Sequence, residues 1–176
     1  MDFEKLFTFG EFGKFINTVI EIPKNSSLKI EFDREKKLFV LDRVEPAIFD
    51  KPVNYGFIPN TTDEDGDPLD TLLITDEPVP TGIVVRCRVI AILNFVDTGK
   101  NDHKIVCVPE KDRHFTAHIE KLSDLTDQWK NQVEFHFNHY KDLKKVGQTK
   151  VEGWSDTDAA WKVIRECVDR FNSATK

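Results

Sequence analysis

The feature that most limits the folds open to this chain is a change of hydrophobic rhythm about two-thirds of the way along it. Before the change, "NTVIEI", "SLKIEFD", "LFVLDRV", "DTLLI", "GIVVRCRVIAILNF" and "KIVCV" are rich in β-branched residues and bounded by Pro, Gly, Asn or Asp. Runs of that kind read as strands. In "SLKIEFD" the alternation sets Leu28, Ile30 and Phe32 on one face and Lys29, Glu31 and Asp33 on the other, and "DREKK" marks a hairpin turn. After the change, Trp129, Val133, His136 and Tyr140 recur at helical spacing, which predicts a long helix near 124–143. "TKVEGW" is strand-like. Ser155 and Asp158 then suggest a capping box ahead of the stripe Ala160, Val163, Ile164, Cys167, Val168 and Phe171, which predicts a terminal helix near 156–173. Many non-parallel strands followed by two helices predict a mainly β, α+β architecture: a closed or nearly closed antiparallel barrel with helices packed outside.

A chain of 176 residues without repeats, low-complexity tracts or linkers is expected to form a single domain over 1–176. The net charge of −6 weighs against a protein whose main partner is nucleic acid, because phosphate backbones select basic surfaces. The N-terminal "MDFEKLFTFGEFGKFI" carries acids where a signal peptide carries lysines, and no apolar run is long enough to span a bilayer. Cys87, Cys107 and Cys167 lie in apolar runs without Cys-x-x-Cys spacing and read as buried free thiols. A cytoplasmic protein is expected.

The stretch Asp63–Asp70, "DEDGDPLD", concentrates five acids in eight positions ahead of the apolar "TLLI". A solvated turn is one reading, since Asp-Gly and Asp-Pro are turn dipeptides. An EF-hand is a second, and it fails: counting from Asp63, glycine falls at position 4 instead of 6, and position 12 is Ile74 instead of Glu. A magnesium cluster is the third. Mg²⁺ is a hard cation that takes carboxylate oxygen and water, and a Gly turn beside a stiff Pro can gather Asp65, Asp67 and Asp70 around a small volume. "VDTGKNDHK" sets Asp97 and Asp102 on either side of a hairpin turn, where they read either as a second acidic pair on the same rim or as a solvated tip. Lys29, Arg43, Lys104, Tyr140 and Lys141 alternate with these acids along the chain, a pattern suited to holding metal ions and phosphate oxygens together.

Taken together, "VIEIP", "LKIEFD", "LDR", "PVNYGFIP", "DGDPLDTLL", the Asp97/Asp102/Lys104 group, "HYKDL" and "KVEGW" resemble, in the same order, the motifs of the soluble Mg-dependent inorganic pyrophosphatases of family I. The resemblance is to the short bacterial-type members and runs from about residue 19 to the end. It implies a five-stranded barrel of the oligonucleotide/oligosaccharide-binding type with flanking helices. It also implies hydrolysis of pyrophosphate to two orthophosphates by metal-activated water, which drives pyrophosphate-releasing biosynthesis forward. Asp65, Asp70, Asp97 and Asp102 would then hold several Mg²⁺ ions, with Glu21 and Glu31 reaching them through water at the rim. Asp67 would accept the proton of the attacking water, and Lys29, Arg43, Tyr55, Lys104, Tyr140 and Lys141 would grip the two phosphoryl groups. A homohexamer is implied, with the long helix as a candidate interface, while His136 and His139 near its end read equally as core or surface residues. One position departs from the pattern: Lys51 in "FDKPVNYG" stands where family members often carry Tyr.

The charges make chemical sense of that implication. Glu21, Glu31, Asp65, Asp67, Asp70, Asp97 and Asp102 against Lys29, Arg43, Lys104 and Lys141 leave a net of three negative charges, to which pyrophosphate adds its own. Roughly three or four divalent cations bring such a site close to neutral. Two readings from other classes stay open on sequence alone: a barrel for single-stranded nucleic acid, and a divalent-ion-binding domain without catalysis.

Overall fold

In the computed structural model, Phe3 and residues 13–174 are described. Among them, nine strands and two α-helices follow one another in chain order. The strands are β1 (Phe15–Ile22), β2 (Leu28–Asp33), β3 (Leu38–Val44), β4 (Asn54–Phe57), β5 (Asp70–Leu73), β6 (Val84–Asp97), β7 (Lys100–Asn101) and β8 (Lys104–Pro109). Then come α1 (Asp127–His139), β9 (Thr149–Ser155) and α2 (Thr157–Ala174). Strands β1, β4, β5, β8 and β6 pair in that order, and β6 pairs back onto β1, so the sheet closes into a five-stranded ring close to a barrel, as expected. Closure leaves the central strands no free edge.

One pairing differs from the all-antiparallel expectation. β8 inserts between β5 and β6 and runs parallel to β5, with Asp70 opposite Lys104. Strand β5 is buried along its apolar length, which is how a strand covered on both faces reads. Alternate side chains serve two apolar layers. Leu72, Leu93 and Val106 face Phe137 of α1, while Leu73, Ile92 and Ile105 face Ile164 and Cys167 of α2. Each fully buried side chain of this size contributes roughly 1.5–3 kcal/mol.

The β2–β3 hairpin stands outside the ring and docks through aromatic rings. Phe32 lies 4.8 Å from Phe3 edge-on and 5.8 Å from Phe57 in a stacked arrangement, with Phe39 beside them. That contact sets the hairpin's Lys29, Glu31 and Arg43 over the barrel mouth.

Strand β4 lay outside the sequence expectation. All four of its residues are buried, so it shows no alternation, and it contains Gly56. A Cβ at Gly56 would sit 2.1 Å from the carbonyl oxygen of Val19 on β1, a backbone atom that cannot move aside. Gly56→Ala is therefore expected to cost about 3 kcal/mol, at the upper end of overpacking effects. Urea denaturation reads it, and a loss below about 1 kcal/mol would show that β1 and β4 can separate freely.

Both helices form, with shifted ends. The long helix starts at Asp127, after a 3-10 turn at Leu122–Asp124, because Thr126 Oγ1 accepts the amide of Trp129 and caps it. Ahead of α2 the capping residue is Asp156, whose Oδ1 accepts the amide of Ala159 at 3.0 Å. Ser155 instead ends β9, and its Oγ accepts from Asn94 at 2.8 Å. Among the described residues, no helix is long and apolar enough to cross a membrane. The leader-free reading of the N-terminus rests mostly on residues outside those described, 1–2 and 4–12.

Candidate active site

The acidic loop between β4 and β5 is held at both ends. Thr61 Oγ1 accepts the amide of Leu69 at 2.9 Å, and Asp63 N–H donates to Asp67 O at 2.7 Å, which curls the chain. Gly66 turns the curl at φ +99°, a conformation open to glycine. Helix α2 supports the loop from outside: Thr62 N–H donates to Cys167 O, and Arg170 Nη1 donates to Thr62 O at 2.7 Å and lies 3.4 Å from Asp63. Asp65 and Asp67 are thereby presented, exposed, at the loop tip, and Asp67 N–H donates to Asp65 Oδ1 at 3.0 Å. Asp70 comes where the loop enters the barrel.

Opposite this loop, Asp97 ends β6. A turn with Thr98 and Gly99 at positive φ folds the chain back, so that Asp102 and Lys104 follow at the start of β8. Glu21 comes from β1, Lys29 and Glu31 from β2, Arg43 from β3 and Tyr55 from β4. Tyr140 is the C-cap of α1, with Lys141 next. These elements surround one cleft of about 350 Å³, and all thirteen residues singled out in the sequence line it. Lys51, Pro68 and the rings of Phe32, Phe57 and Phe137 complete the wall.

Inside the cleft acids and bases interlock. Lys104, 1% exposed, donates to Asp70 at 2.5 Å and to Asp102. Burial alone would lower its pKa, yet the two carboxylates hold it well above the ordinary lysine value. Tyr55 Oη donates to the same Asp70 oxygen, and burial beside Asp70 raises its pKa. Tyr140 and Lys141 both donate to Asp97, at 3.1 Å and 2.5 Å. Burial would raise the Asp97 pKa, but bonds from Lys141 and Thr98 outweigh it and bring it below the usual range. Lys29 pairs with Glu31 at 2.9 Å, and Arg43 with Asp42 and Glu45 at 2.5 Å.

Three acids stay under negative pressure despite these partners. Glu21 is pushed up to about 7 by burial and then by Asp70, and Asp102 to about 6 by burial, against the pull of Lys104. Partial burial, Asp65 and Asp70 together raise Asp67. Among the described residues no three acids form a closed ligand cage, because lysines stand between them. The donor set nevertheless fits a hard divalent cation: oxygen ligands only, around an open cleft in which burial and neighbouring carboxylates make Glu21, Asp67 and Asp102 hold protons more readily than usual.

That strain has a measurable sign. An acid whose folded pKa is raised destabilises the fold once pH exceeds its unfolded value, about 4.3 for Glu, and does so fully above its folded value. In chelator, Glu21→Gln is expected to match wild type near pH 4 and to melt about 5 °C higher at pH 8. The gain should grow between about pH 4.5 and 7. A pH-independent difference in thermal melts would disprove the burial of charge at Glu21.

His136, which the sequence leaves open between core and surface, is buried in the chain, stacked on Tyr140 and 3.4 Å from Lys51 Nζ. His139 Nδ1 donates to Phe135 O, 2.7 Å away and one turn back.

Comparison with known proteins places these observations. A family model described as inorganic pyrophosphatase matches residues 18–172. The inorganic pyrophosphatase of Neisseria meningitidis serogroup B is 56% identical over 172 residues, 97% of each chain, and that of Haemophilus influenzae is 52% identical over 97% of this chain and 98% of its own. The crystal structure of an inorganic pyrophosphatase from Neisseria gonorrhoeae superposes with a TM-score of 0.94 at 55% identity, covering 97% of this chain and 99% of that one. The enzyme from Thermus thermophilus superposes at 0.91 with 35% identity, covering 98% and 99%.

Proposed function

The chain belongs to the inorganic pyrophosphatase family and hydrolyses pyrophosphate to two orthophosphates, and on that premise we propose that the cleft built around Asp65, Asp67 and Asp70 is where the reaction takes place. The observation that carries the proposal is the convergence of thirteen acids, bases and tyrosines from separate elements on one cleft. Family I pyrophosphatases are metal-dependent, and Mg²⁺ is the ion these oxygen donors suit. Asp65, Asp70, Asp97 and Asp102 would hold the ions directly, and Glu21 and Glu31 through water. Bound there, the ions supply charge neutralisation for the phosphates and a lower pKa for water.

The chain's own residues do the rest. Asp67, whose raised pKa marks it as a readier proton acceptor than an ordinary aspartate, takes the proton of the attacking water as its oxygen joins one phosphorus. The bond from that phosphorus to the bridging oxygen breaks, and negative charge grows on the departing phosphate. Lys29, Arg43, Tyr55, Lys104, Tyr140 and Lys141 point cationic or hydroxyl donors into the cleft to receive that charge. Tyr55, Lys104, Tyr140 and Lys141 are already held at the cleft by Asp70, Asp102 and Asp97, so their positions are set before substrate arrives.

We infer a single domain over 1–176, a reading supported by the way α2 returns to brace the acidic loop. Three buried free thiols suit a reducing cytoplasm. A homohexamer would cover exposed apolar side chains such as Leu41, Val44 and Ile48, and sedimentation at micromolar concentration tests it, a monomer being the contrary result.

The experiment on the cleft is phosphate release from pyrophosphate at about pH 8, with Mg²⁺ and with chelator. Release is expected only with the metal. Release that persists in chelator would place the chemistry outside this carboxylate set.

A further inference from the structure

Lys51 is the one charged residue of the cleft wall that the reading above leaves without a task. Its position is fixed by the backbone, since its N–H donates to Ser26 O at 3.1 Å and its carbonyl accepts from Asn25 at 2.8 Å. Its stem carries Nζ into a cage of rings: 4.8 Å from the centre of Tyr55, 5.2 Å from Tyr140 and 5.4 Å from Phe137. Faces of aromatic rings attract an ammonium. Nζ also lies 3.4 Å from His136 Nε2. Burial and the Lys51 charge keep the His136 pKa down at about 3, so that ring is neutral and serves as an acceptor.

The surrounding charges are badly matched to a lysine with no further partner. Among the described residues Lys51 makes no ion pair, while Lys29 of β2 and Lys104 of β8 oppose its charge and Asp70 and Glu45 favour it less strongly. Burial, with those two lysines, brings its pKa down to about 7. A cation held against its own electrostatics, on the wall of an anion-binding cleft, is stabilised when an anion arrives. The geometry says which one. Together with Lys29, Arg43 and Tyr140, Lys51 lines both the main cleft and the small recess beside it, so these four donors share one wall.

We propose that Lys51 is a further substrate-contacting residue in this chain, its ammonium donating to an oxygen of the phosphoryl group held by Lys29, Arg43 and Tyr140. This rests on the cleft being the pyrophosphate site. A neutral donor at this position would offer a hydrogen bond alone; the lysine adds a charge.

Two measurements test it. The first is calorimetric binding of inorganic phosphate at pH 6, in the presence of Mg²⁺, to wild type and Lys51→Met, which keeps the stem and removes the charge. A charge-assisted hydrogen bond corresponds to about tenfold or more in affinity, so phosphate is expected to bind Lys51→Met about tenfold more weakly, with KM for pyrophosphate raised more than kcat is lowered. The second needs no variant and decides the matter if Lys51→Met does not fold. Wild type is treated with acetic anhydride at pH 7.5, with and without phosphate, and acetylation of Lys51 is followed by peptide mass spectrometry. Phosphate is expected to protect Lys51 severalfold. Unchanged phosphate affinity and KM in folded Lys51→Met, or labelling of Lys51 that ignores phosphate, overturns the proposal. Wild type that binds no phosphate at all overturns the cleft assignment itself, a distinct result.

Discussion

Asp67→Asn is expected to lower the rate of pyrophosphate hydrolysis by about a hundred- to ten-thousandfold, the range for losing a positioned general base, while leaving magnesium affinity within about threefold. The two central aspartates are built differently. Asp67 stands exposed at the loop tip, its backbone tied through the amide to Asp65 Oδ1 and through the carbonyl to the amide of Asp63. Its carboxylate has a raised proton affinity, first from partial burial and then from Asp65 and Asp70. Asp70 is engaged where it stands, one oxygen accepting from both Tyr55 and Lys104. Asp70→Asn removes the anion on which that tyrosine and that lysine converge, so it is expected to weaken magnesium binding at least tenfold as well as to slow turnover. Calorimetric magnesium titrations of both folded variants, beside steady-state rates, make the comparison. Indistinguishable isotherms would sink this division of labour.

The candidate site could be drawn from sequence because its residues are of types that a barrel rim does not otherwise gather, and because many of them sit at a recognisable punctuation in the chain. "DEDGDPLD" is a turn ahead of a strand, "VDTGKNDHK" a hairpin, and Tyr140 and Lys141 the end of a helical stripe. Their convergence was a different matter. It depends on the β1–β6 closure and on the parallel pairing that sets Asp70 opposite Lys104, contacts between distant segments that no local pattern encodes. The same limit hid β4. Its residues are buried on all sides, and Gly56 is there for Val19's carbonyl, a neighbour 37 positions away in the chain (from 19 to 56). Lys51 could be noticed in sequence only as an oddity before "PVNYG". Its meaning lies in Tyr140, Phe137 and His136, contributed by a helix that begins only at Asp127. His136 stayed open for a related reason: helical spacing put it on an apolar stripe with Val133 and Tyr140 without saying whether that stripe faced a second subunit or the chain's own barrel.

Lys104→Met carries the largest expected cost in stability. Its ammonium is buried beneath the cleft floor, bonded to Asp70 and Asp102, with the rings of Phe95 and Tyr55 at 5.5 and 5.6 Å. Methionine fills the same apolar channel, so packing is largely kept and the loss is electrostatic. Removing one member of a buried ion cluster costs about 3–5 kcal/mol, because the remaining charges stay desolvated and unpaired. Here two carboxylates would face each other without the cation, and the loss must depend on pH. Asp102 already titrates at about 6 with Lys104 pulling its pKa down; without Lys104 that value rises further. A raised acid penalises the fold only as pH climbs above the unfolded aspartate value, about 3.9, so the deficit of Lys104→Met should be small near pH 4, larger at pH 6 and full at pH 8. Magnesium should restore part of it by supplying the missing positive charge between Asp70 and Asp102. Urea denaturation of both proteins in chelator at pH 4, 6 and 8, repeated at pH 8 with magnesium, separates these effects. A deficit that is flat with pH would mean that the lost methylene packing, and not the unpaired acids, accounts for the cost.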